Sequence, residues 1–172
     1  RGGALDNLID DRFTGSKHFW YATCVDRPRT AKKLNEHIVK YHSEGSFSEE
    51  EKIEFLADLT GIFPMSMVIT EDVQRRLDEL YVPAISDYDP DLMVCWCVPR
   101  SIKVKRSKNN RIFYVVEVID SNSVTTRIRC WSVNPEKDLI HINRPYMVKP
   151  SYSRDWGFST RGGINNSWCL LG

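Results

Sequence analysis

A chain of 172 residues with 41% hydrophobic and 27% charged residues has the composition of a soluble globular protein, long enough for one domain or two small ones sharing an interface. No apolar run approaches the roughly 20 residues that cross a bilayer, so membrane insertion is excluded as an expectation. The net charge of +1 averages two unlike halves: residues 91–172 carry 13 Lys and Arg against 6 Asp and Glu, while residues 1–90 carry 11 against 17.

The first half has helical periodicity. Leu5, Leu8 and Ile9 recur at helical spacing between Ala4 and Phe13. Ala31, Leu34, Ile38 and Tyr41 do so after Thr30, whose hydroxyl is suited to an N-cap. Ser48 followed by Glu51 forms a capping box, Ile53, Leu56 and Ala57 an apolar stripe, and Gly61 a stop. A fourth helix begins after Thr70 with the stripe Val73, Leu77, Leu80 and Tyr81 and must end by Pro83.

From Leu92 the period changes to that of strands. β-Branched and aromatic runs cover Met93 to Val98, Ile102 to Lys105, Ile112 to Ile119, Thr125 to Val133 and Tyr146 to Tyr152. Lys108, Asn109 and Asn110 mark one turn, and Asp120 to Ser123 mark another that joins two runs into a hairpin. Five short strands with a polar interruption near Pro135 to Asp138 match the count of an OB barrel. The expected fold class is therefore α+β: a helical connector over residues 1–88, then a five-stranded OB-type barrel over 89–172.

Taken in order, Leu5-Asp6-Asn7-Leu8-Ile9 through Phe13, the stretch Glu51 to Pro64, and above all Val94 to Val148 follow a known pattern. In the last stretch, Phe113-Tyr114-Val115-Val116-Glu117-Val118-Ile119-Asp120 and Ile128 to Trp131 are the best-matched segments. The chain resembles the C-terminal region of bacterial and phage DNA polymerase III alpha subunits, the C-family replicative polymerases. That resemblance implies a non-catalytic module that holds single-stranded template, with polymerase chemistry carried by the remainder of a parent chain and with replisome proteins as neighbours. The opening Arg1-Gly2-Gly3, without a methionine, agrees with a piece of something longer. The family's short Gln-containing sliding-clamp motif has no copy between Val39 and Ser48, which argues against clamp binding.

The residues themselves suggest how such a barrel would hold nucleic acid. Strand alternation places Phe113, Val115, Glu117 and Ile119 on one face and Tyr114, Val116 and Val118 on the other, which reads as core. Arg127 and Arg129 share a face on the next strand, so that they and Phe113 would form one exposed patch: an aromatic platform for a base, with guanidinium groups for phosphate. Lys103, Lys105, Arg106, Lys108 and Arg111 put five positive charges within nine residues between the first two strands. Arg144, Tyr146, Lys149, Tyr152, Arg154 and Trp156 interleave basic and aromatic side chains further on. Trp156, Phe158 and Trp168 read as packing residues.

No catalytic, metal or cofactor set is discernible. Cys95 and Cys97 share a strand face without a second pair to complete a zinc site, and His18, His37, His42 and His141 are scattered. Five irregularly spaced cysteines fit a reducing compartment, and a cytoplasmic address is expected. The rival reading is a stand-alone module that binds a protein, such as a replication factor, through its acidic half.

Overall fold

The structure, a computed structural model, describes residues 9–171. The chain packs as two compact units, the first ending at Pro64 and the second starting at Met65.

The first unit is helical. Its helices are α1 (Ser16–Trp20), continued by a π-helical turn over Tyr21–Val25, α2 (Ala31–Lys40) and α3 (Glu49–Thr60). Thr30 caps α2 by accepting from Lys33 N, and the Ser48–Glu51 capping box opens α3 with both of its hydrogen bonds in place. Gly61 ends α3 in the left-handed region at φ 69°, where a side chain would be strained. The stripe predicted from Ala4 begins outside the described residues, and its described end is a turn closed by Phe13 N donating to Asp10 O at 3.1 Å. The sequence reading missed α1, because five residues are too few to display a period. A buried histidine holds this region: His18 Nδ1 accepts from Thr14 N at 3.0 Å and Nε2 donates to Ile38 O at 2.8 Å, which fixes the neutral tautomer.

The second unit opens with the single turn α4 (Met65–Val68) and α5 (Glu71–Glu79), the latter capped by Thr70. Val73 and Leu77 are buried as the stripe required. Leu80 and Tyr81 lie beyond the helix end and are exposed.

Among the described residues seven strands follow, not five: β1 (Cys95–Arg106), β2 (Ile112–Ile119), β3 (Thr125–Cys130), β4 (Tyr146–Val148), β5 (Ser151–Ser153), β6 (Gly157–Thr160) and β7 (Trp168–Leu170). They form one sheet in the order β5-β6-β3-β2-β1-β4-β7. Two runs expected as separate strands, Met93 to Val98 and Ile102 to Lys105, fuse into β1 around a bulge between Pro99 and Ser101. Proline lacks the N–H that a regular ladder needs, and the bulge falls within the β1–β2 ladder, which runs from Val98 to Arg106, while β4 pairs with β1 over Cys95–Cys97. Conversely, Tyr146 to Tyr152 divides into β4 and β5 at Pro150, for the same lack of a donor. The parallel β3–β6 pair and the antiparallel β4–β7 pair curl the sheet into a half-barrel.

Its concave side is the core. Tyr114, Val116, Val118, Ile128 and Cys130 pack there with Cys95, Cys97, Tyr146, Val148, Ile140, Ile164 and Trp168. The alternation read in β2 and β3 is therefore the alternation observed.

Candidate nucleic-acid interface

The face of β1–β3 turned away from the core gathers five of the ten predicted binding residues: Lys103, Lys105, Phe113, Arg127 and Arg129. Antiparallel register sets three rows across it: Ser101, Glu117 and Arg127; Lys103, Val115 and Arg129; then Lys105 and Phe113, with Trp131 just past the end of β3. Phe113 and Trp131 stack with centroids 4.4 Å apart and planes tilted by 25°. Such a pair contributes about 0.5–1.5 kcal/mol beyond its buried area and holds both rings in place. Phe113 is thus a half-buried member of a two-ring platform, not a lone exposed ring.

Charge on this face is graded. Glu117 lies at the end remote from the turn, where its Oε1 accepts from Arg127 Nε and Nη2, both at 3.3 Å. Arg127 is therefore already paired with a carboxylate. Arg129 is held differently: its Nη1 donates to the backbone carbonyl of Trp156, which orients the side chain without neutralising it. Lys103 and Lys105 project exposed from β1. The free cationic character is concentrated beside the ring stack.

The basic segment expected as a loop is mostly strand. Lys103, Lys105 and Arg106 belong to β1, and only Lys108 sits in the tight turn, which is closed by Asn110 N to Ser107 O at 2.9 Å and Ser107 N to Arg111 O at 2.9 Å. Arg106 points to the opposite side from Lys105 and donates to Asn110 Oδ1 at 3.1 Å. Arg111 stands exposed immediately before β2.

The later basic and aromatic run does not join this face. Arg144 precedes β4 on the far side of β1, and Lys149 lines a different groove. Tyr146 is core, its hydroxyl accepting from His141 N at 3.0 Å. Of the three aromatics expected to pack, Phe158 contacts Tyr88 and Tyr152 and Trp168 is buried, but Trp156 is 67% exposed at the β5–β6 turn.

Two concavities flank the sheet. The larger, about 910 Å³, is lined by Leu80, Val82, Leu92, Met93, Met147, Lys149, Tyr152 and Arg161 among others. The smaller, about 550 Å³, is lined by Arg111, Ile112, Trp131, Ser132, Val133 and Arg161. Trp131 was legible as the next residue in the alternation 127, 129, 131. Arg161 carried no such signal, because the parallel pairing that brings β6 beside β3 has no local pattern.

Among the described residues no group of three or more His, Cys, Asp or Glu is arranged to hold a metal ion, and no helix is long and apolar enough to cross a membrane. Compared with protein-family models, with curated proteins and with solved structures, the chain matches none.

Proposed function

We propose that the half-barrel is an OB-type barrel that binds single-stranded DNA across the outer face of β1–β3, as the non-catalytic module of a polymerase III alpha-type replicative protein. One observation carries this reading: the Phe113–Trp131 stack lies on the same face as Lys103, Lys105 and Arg129. Stacked aromatics accept unpaired bases of any sequence, at about 1–3 kcal/mol per base, and neighbouring cations contact the phosphates. Duplex DNA offers no free base face to such a platform, so the single strand is the preferred ligand. The excess of positive charge over residues 91–172 draws the polyanion in from a distance. The polymerase setting rests on the ordered sequence resemblance.

Charge reversal is the direct test. Lys103→Glu with Lys105→Glu is expected to weaken binding of a labelled single strand of about 20 nucleotides by on the order of tenfold or more, measured by fluorescence anisotropy. Both lysines are exposed, so the fold is expected to survive, with circular dichroism as the check. Unchanged affinity in the folded double variant rejects this face.

A second reading is supported by the 910 Å³ groove, around which Leu80, Leu92, Met93 and Tyr152 are all exposed. Apolar side chains clustered in this way mark protein contacts. On that reading the chain binds a partner protein, with an affinity that added salt does not weaken.

A further inference from the structure

The 550 Å³ cleft lies where the start of β2 and the ends of β3 and β6 come together. We infer that it receives the end of a nucleic-acid strand, with the terminal base against Trp131 and a terminal phosphomonoester on Arg111 and Arg161. The inference rests on the reading of the adjoining face as a single-strand surface and adds to it a preference for one kind of strand end.

Size is the first argument. A volume of 550 Å³ falls within the roughly 300–1,000 Å³ of sites that enclose a small molecule, which suits one nucleotide better than an extended chain. The lining is the second. Ile112, Trp131 and Val133 supply an apolar wall, and the charged members are two arginines with no carboxylate among the lining residues. Trp131 is held on one side by Phe113 while it also borders the cleft, so the platform and the cleft share a ring.

The charge match selects the chemistry. A phosphodiester within a strand carries one negative charge, whereas a terminal phosphomonoester carries about −1.5 to −2 at pH 7. Two guanidinium groups, each able to give paired N–H donors to phosphate oxygens, match the larger charge. Neither Arg111 nor Arg161 forms an ion pair among the described residues, so no carboxylate must be displaced first. Asp138, a nearby acid, is not among the lining residues: it is buried, its Oδ2 accepts from Asn134 N at 2.6 Å, and it lies against Gly163.

The backbone explains why both arginines border the cleft. Trp131 N donates to Thr160 O at 3.0 Å, which fixes the end of β3 against the end of β6 and sets Arg161 beside Trp131. Gly162 and Gly163, at φ 91° and 81°, then turn the chain away at once, a course that few other residues permit. Arg111 reaches the same place from the tight β1–β2 turn.

A 5′-phosphate and a 3′-phosphate share this chemistry, and the experiment separates them. Three labelled single strands of one sequence are titrated by fluorescence anisotropy: one with a 5′-phosphate, one with a 3′-phosphate and one with hydroxyls at both ends. One phosphorylated strand is expected to bind at least about fivefold more tightly than the hydroxyl-ended strand. Arg161→Gln is expected to bring that ratio to about one, and Arg161→Lys to keep part of it. Equal affinities for all three strands in the unmodified protein overturn the inference while leaving the single-strand reading in place, as does a ratio that survives Arg161→Gln. Absence of binding by every strand at about 50 mM salt overturns both. Should the variants fail to fold, the ratio in the unmodified protein decides.

Discussion

Three thiols are the most strongly perturbed side chains in the sheet. Burial pushes the Cys95 thiol up to about 12, helped by the negative charge of Asp120, and pushes Cys130 up to about 11 against the weaker opposing influence of the neighbouring Thr160 and Trp168 side chains. Cys97, also fully buried, lies well above its ordinary value for the same first reason. In the unfolded chain such thiols ionise near pH 8.5–9. The unfolded state therefore loses protons first as pH rises, so the stability these groups contribute is present below about pH 9 and declines as pH climbs towards 11–12. Urea midpoints are expected to fall between about pH 8 and 11, and Cys130→Ala should make that fall shallower; an equal slope in the two proteins contradicts the assignment. Their placement also makes these cysteines poor nucleophiles and poor metal ligands, since the thiolate is the reactive form.

At the scale of the element, the β2–β3 hairpin does more than its alternation suggests. Asp120 was readable as a turn former, and Asn122 N and Val124 N do donate to its Oδ1 at 3.0 and 3.3 Å. Its other oxygen accepts from Ser86 N at 2.8 Å, which ties the hairpin to the short turn over Ile85–Asp87 ahead of the sheet. The carboxylate is fully buried, so its removal leaves three N–H donors without an acceptor. Asp120→Ala is expected to cost about 2–3 kcal/mol in urea unfolding, with Asp120→Asn retaining part of the loss; a cost near zero would mean that water replaces the carboxylate. The central strand β1 pairs with β4 over Cys95–Cys97 and with β2 from Val98 onward, which separates Arg144 and Lys149, on the β4 side, from the cations of β1–β3.

For the molecule as a whole the measurable quantity is salt dependence. Each phosphate neutralised on a single strand contributes a slope of about −0.7 in log K against log salt, so Lys103, Lys105 and Arg129 meeting one phosphate each give about −2. Arg127, held by Glu117, is left out of that count. A slope near zero in a protein that still binds its target would point instead to the apolar groove. The ingredients of this expectation were visible early: the basic second half, the capped helices over Ala31–Lys40, Glu49–Thr60 and Glu71–Glu79, and the faces of β2 and β3. Each is written by a residue and its near neighbours, because a cap needs three positions and a face needs only a period of two. The sequence by itself thus determined the helices with caps, the inward and outward sides of the long strands, and the charge they display. Tertiary structure alone decided that there are seven strands, that β6 runs parallel beside β3, that Trp131 stacks on Phe113, and that Arg161 reaches the cleft of Arg111. Strands of three or four residues are too short to show a period, and their pairing is chosen by partners distant in the chain once a shared core can be buried.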